Sequence, residues 1–121
     1  MAINSRAKGA RSERELAKIL RDNGFVNARR GCQYNGLNGD ADIVDALPGI
    51  HIECKNNQRL NIFDAMEQSA RDSKGMEIPV VMHKKDRKPW LCTLRLEEFL
   101  MIYKMAGIDD GETKQEDIPD V

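Results

Sequence analysis

The chain contains no run of about 18 apolar residues, the length a helix needs to cross a bilayer, and Met-Ala-Ile-Asn-Ser-Arg lacks the apolar stretch of a signal peptide. The expectation is therefore a cytoplasmic, intracellular protein with no membrane partner. Cysteine is scarce as well: Cys32, Cys54 and Cys92 are odd in number and widely spaced. That excludes a disulfide framework and points to free thiols in a reducing compartment. A zinc set drawn from His51, His83, Cys54 and Cys92 fails on geometry, because Cys54 and His51 fall on opposite faces of one strand. Internal repeats and glycine-rich phosphate-binding motifs are missing too, and aromatic residues make up only 5%. What remains, 121 residues that are 40% hydrophobic and 32% charged, is the composition of one globular domain with a single core.

An excess of one charge is also absent, since the net charge is −1. The balance is unevenly placed. Residues 108–121 hold six acids and one base, a net −5, which leaves 18 bases against 14 acids, a net +4, on the rest. This acidic segment, without aromatics, has too little apolar surface to fold alone and is expected to be a disordered tail on a domain spanning 1–107. The first thirty residues carry eight bases against three acids. A basic end of this kind suits a phosphate backbone, although a solvated helix face accounts for part of it.

The central stretch runs from Gly39 to Lys55. With a strand's period of two, Ile50, Ile52 and Cys54 share one face, and His51, Glu53 and Lys55 share the other. Upstream, Asp40 and Asp42 share a face if extended, and Leu47-Pro48-Gly49 carries turn chemistry, so the two segments read as a hairpin that brings Asp42 beside Glu53 and Lys55. Two hard oxygen ligands with open positions suit Mg²⁺, with Mn²⁺ able to substitute. His51 is either a proton shuttle or a structural histidine.

The remaining elements follow from pattern. Residues 5–23 read as a helix closing at Gly24, with Glu13, Leu16, Ala17 and Leu20 on one face and Arg11, Glu15, Lys18 and Asp22 on the other. Glu13 thus looks inward, where a carboxylate needs a metal or a cationic partner. Strands are expected at 25–30, 41–47, 50–55, 78–83 and 89–94. Helices are expected at 62–73, with Asn61 as its N-cap, and at 96–105, ending at Gly107. The loop 31–39, with Gln33 and Tyr34 and preceded by Arg29 and Arg30, suits contact with a DNA backbone. So does the basic turn with Lys84, Lys85, Arg87 and Lys88. Trp90 either stacks on a ligand or caps the core. Gln68 either reaches the site or is a surface amide. Phe99, Leu100, Met101 and Tyr103 serve either an interface or the core.

The arrangement of Asp42, Glu53 and Lys55 resembles the PD-(D/E)XK nuclease superfamily. With Lys8-Gly9-Ala10-Arg11-Ser12-Glu13-Arg14, Arg29-Arg30-Gly31 and Lys88-Pro89-Trp90 in the same order, the chain is similar to archaeal-type and phage-borne Holliday-junction resolvases. Ala41 stands where the family name has proline, which leaves Asp40 and Asp42 both as candidates for the first ligand. The resemblance implies an α/β, restriction-endonuclease-like core in α-β-β-β-α-β order, with a mixed central sheet flanked by helices. It implies Glu13, Asp42, Glu53 and Lys55 as catalytic residues, with Asp42, Glu53, the Cys54 carbonyl and Glu13 as metal ligands. DNA contacts would come from Lys8, Arg11, Arg14, Arg29, Arg30, Gln33, Tyr34, Gln68, Lys84, Lys85, Arg87 and Lys88. Its implied substrate is a four-way or otherwise branched DNA, cut by a homodimer.

Overall fold

The computed structural model describes residues 5–31 and 41–108. The elements are α1 (Ser5–Asp22), β1 (Arg29–Arg30), β2 (Ile43–Val44), β3 (Ile50–Asn56), α2 (Ile62–Asp72), β4 (Ile78–Lys84), β5 (Leu91–Thr93) and α3 (Leu96–Ala106). One five-stranded sheet runs β1-β2-β3-β4-β5. Its pairs are antiparallel except β3 with β4, which are parallel and joined through α2. This mixed sheet flanked by helices is the restriction-endonuclease-like α/β architecture expected, extended by β5 and α3.

The apolar period of α1 decides where it lies. Leu16, Ala17 and Leu20 pack with Ile43, Ile52, Cys54 and Val80 in the main core. Burying each leucine contributes roughly 1.5–3 kcal/mol. On the other face, α2 lies against β3 and β4. Its fully buried Ser69 hydroxyl donates to the Val80 carbonyl at 2.9 Å and approaches that of His51 at 3.4 Å, which lets helix and sheet approach closely. The expected cap is present: the Asn61 side chain accepts from the Asp64 N–H at 3.1 Å.

Three strands are shorter than the sequence pattern suggests: β1, β2, and β5, which covers Leu91–Thr93 of the expected 89–94. Residues 25–28 form a turn instead of a strand, because Phe25 N–H returns to the Leu20 carbonyl and Ala28 N–H to Phe25, both at 3.0 Å. Strand β2 ends at Val44 because Asp45 adopts a left-handed φ of 56°. At the junction of β1 and β2, the Gly31 N–H donates to the Asp42 carbonyl at 2.8 Å. A Cβ on Gly31 would run into the Ala41 carbonyl, so only glycine fits this approach. On α2, Asp72 is half-buried and turned toward His51. Gln33, Tyr34, Asp40 and the acidic segment 109–121 lie outside the described residues.

Helix α3 closes as expected at Gly107, whose φ is 66°. It has no buried residue, and Phe99, Leu100, Met101 and Tyr103 are all exposed. Among the described residues, these side chains are therefore not part of the buried core.

Candidate active site

The β2–β3 hairpin brings Asp42 beside Glu53. The pairing is Ile43 opposite Ile52, and the Asp42 N–H donates to the Ile52 carbonyl at 2.9 Å. The Asp42 carboxylate in turn accepts the Cys54 N–H at 2.8 Å, which fixes it across the strand. Both carboxylates are buried, Asp42 at 7% and Glu53 at 2% exposure. Lys55, two residues on, points its ammonium at the Gln68 amide oxygen on α2, at 3.1 Å. From α1, Glu13 reaches the same place and is held by Arg30 Nε at 2.9 Å. A cavity of about 450 Å³ is lined by Lys8, Glu13, Asp42, Glu53, Lys55 and Gln68, together with Cys54 and the neighbouring Gly9, Asn56 and Asn57.

The electrostatics are those of carboxylates crowded at a partly dry site. Burial pushes the Glu53 carboxyl above its ordinary range; the His51 hydrogen bond and Lys55 oppose this, while the Asp42 charge adds to it. Glu13 is also raised, by burial first, with Arg30 and Lys55 pulling down and Asp42 pushing up. His51 is buried behind Glu53, its Nε2 3.4 Å from the carboxylate and its Nδ1 3.7 Å from Glu77. Burial disfavours the charged imidazole, but Glu53, Glu77 and Asp72 outweigh it and raise its pKa. Burial pushes the Cys54 thiol far up, so this side chain is an inert core group and only its backbone can serve the site.

Two donor sets share Glu53. Among the described residues, His51, Glu53 and Asp72 form a three-residue group whose ligand atoms lie within 4.8 Å of one another. Asp42 and Glu53 form the set that opens on the cavity. Asn56 lines the same cavity; its amide nitrogen donates to Ser12 Oγ at 2.8 Å, and among the described residues its buried Oδ1 has no hydrogen-bond partner. Two buried carboxylates that open on one cavity fit a hard cation with its waters. Glu13, tied to Arg30, does not join Asp42 and Glu53 in a group of mutual ligand distance among the described residues.

A family model described as "Phage putative PDDEXK endonuclease" matches residues 4–108. The chain belongs to this family. No curated protein and no solved structure matches it. Asp42, Glu53 and Lys55, the residues expected to carry the PDDEXK pattern, are brought to one cavity by β2 and β3. PDDEXK nucleases generally use divalent metals, and the donor groups around Glu53 are of the type that holds one.

The other sequence candidates are more scattered. Arg11 and Arg14 are exposed on α1. Arg29 pairs with Asp45 at 2.8 Å. Lys84 leans toward Glu15 at 3.5 Å and over the Trp90 ring, whose indole N–H donates to Glu15 at 2.8 Å. Trp90 thereby takes the core-capping role. Lys85, Arg87 and Lys88 are exposed at the β4–β5 turn. Sequence reasoning missed Asn56, Asn57 and the Ser12 contact; for the two asparagines the polar run directly after Lys55 was the available signal.

Proposed function

We propose that the chain is a divalent-metal-dependent endodeoxyribonuclease that hydrolyses phosphodiesters in branched DNA, acting as a homodimer. The observation that carries the chemistry is the convergence of Asp42, Glu53 and Lys55 on one cavity, with Asp42 pinned by the Cys54 N–H. Asp42, Glu53 and the Cys54 carbonyl would hold Mg²⁺ or Mn²⁺, with waters completing the shell. When bound, the cation supplies positive charge to the phosphoryl oxygen and lowers the pKa of water. Lys55, braced by Gln68, orients the attacking water and offsets charge on the pentacovalent phosphorus. Glu13 assists through a water, and Lys8 meets the adjacent phosphate. The resulting gain is local neutralisation, because an anionic nucleophile must approach an anionic diester.

Branched DNA as substrate rests on the resemblance to junction resolvases. The homodimer has support of its own in α3. Its apolar side chains are exposed among the described residues, Glu97 lies in its first turn, and Lys104 lies in its last, while Glu98 is held by Arg95 at 2.7 Å. An antiparallel pair of such helices about a twofold axis would bury Phe99, Leu100 and Met101 and set Glu97 against the partner's Lys104.

The test is cleavage of an immobile four-way junction beside a linear duplex of the same arms, in Mg²⁺, Mn²⁺ or EDTA, with Glu53→Ala as control. Metal-dependent paired nicks confined to the junction are expected, and none from the variant. Equal cutting of both substrates would leave a nicking, repair or restriction-like nuclease. Binding of the junction by folded protein with no cutting would leave a non-cleaving DNA-binding module.

A further inference from the structure

A second cavity, of about 480 Å³, lies between the β3–α2 connection and the β4–β5 turn. We propose that it seats an unpaired nucleotide of the strand passing through the active site, an inference that rests on the nuclease reading above. Three observations support it. First, Arg59, Lys85 and Lys88 line the cavity and no carboxylate does, so it is selective for an anion. Second, Leu60, Ile62 and Leu91 complete its wall, and Leu91 remains 56% exposed although it sits in a strand. A patch that gripped only duplex phosphates would need the cations and gain nothing from these side chains. The face of an unstacked base is apolar and would cover them, while its phosphate meets the cations. Third, Asn57 lines both this cavity and the one holding Asp42 and Glu53. The two cavities therefore adjoin at Asn57, and a strand leaving the reaction centre would meet the second one next.

The cavity is braced from within. Gln58 Oε1 accepts the Asp86 N–H at 2.8 Å, tying the connection to the turn and holding the two walls together. His83 on the sheet side has its pKa lowered by burial, and its Nε2 lies 2.8 Å from Thr93 Oγ1. It adds a polar edge. Such a seat gives a structural basis for preferring DNA with a splayed or unpaired position close to the cut, because paired bases cannot reach it.

The experiment is binding of the full chain, carrying Glu53→Ala to prevent cutting, to two oligonucleotide duplexes that contain 2-aminopurine. In one the 2-aminopurine is paired; in the other it lies at the first unpaired position of a splayed arm. Anisotropy gives affinity, and 2-aminopurine emission reports the environment of the base. Tighter binding of the splayed DNA by about tenfold is expected, with a change in emission on binding. Leu91→Gln should abolish both while leaving duplex affinity within about twofold. Leu60→Gln provides a second variant, and thermal melting verifies that each has folded. Lys85→Gln should weaken both substrates. Equal binding of splayed and paired DNA, or a preference that survives both leucine variants, would overturn the seat and leave the nuclease reading intact. Failure to bind either DNA would overturn both.

Discussion

Glu53 is an acid held in three ways at once: buried, beside the Asp42 carboxylate, and bracketed by His51 and Lys55. Its folded pKa lies above the ordinary 4.5, so the native state keeps its proton where the unfolded chain has released it. Without metal, this contribution to stability is full below about 4.5 and is lost as pH rises through the raised value. Glu53→Gln removes it. Urea unfolding in EDTA should show the variant gaining on the parent as pH rises above 4.5; a constant gap would contradict the assignment. Lys55 is a separate matter. Lys55→Met should lower the rate of cleavage by about 10²–10⁴ while DNA affinity stays near that of the parent, as single-turnover kinetics would show. The pairing of Asp42 with Glu53 and Lys55 was legible because strand alternation and a Pro-Gly turn fix which side chains meet. Asn56 and Ser12 were not, since their contact joins residues 44 apart and has no period to announce it.

Helix α2 illustrates an element whose sequence specifies its start and its buried face, although it closes at Ser73 and not at the following Gly75. Asn61 satisfies an orphan N–H, and Ala65 with Ser69 keeps the helix close to the sheet. Asn61→Ala should cost about 1 kcal/mol in equilibrium unfolding, without changing the metal requirement of cleavage. Strands β1 and β2 were harder to read, because both are cut short by local backbone turns at Phe25–Ala28 and at Asp45 that hydrophobicity does not encode. Helix α3 was legible as a helix, but its apolar face did not say what covers it. An 11-residue helix is marginal in water by itself. If the chain is the homodimer proposed, Leu100→Glu should convert it to monomer in sedimentation experiments and reduce helical circular dichroism; an unchanged sedimentation coefficient in a dimeric parent would remove α3 from the interface.

At the scale of the whole molecule, the order α-β-β-β-α-β was legible because long amphipathic helices alternate with strands of period two. The second cavity was not, because it exists only where the β3–α2 connection meets the β4–β5 turn in space. Charge is likewise a property of the whole chain. Residues 109–121 carry six acids and one base, so ending the chain at Ile108 changes the net charge from −1 to +4. That difference acts on DNA at a distance, through a field that salt screens with a Debye length of about 10 Å at 0.1 M. The truncated chain should bind junction DNA more tightly than the full chain at low ionic strength, and the two affinities should converge as salt rises. Titration of both chains by anisotropy over a range of NaCl concentrations measures this. A gap that persists unchanged at high salt would mean that the segment competes for the site through specific contacts, and equal affinities at low salt would mean that its charge lies too far from the DNA to matter.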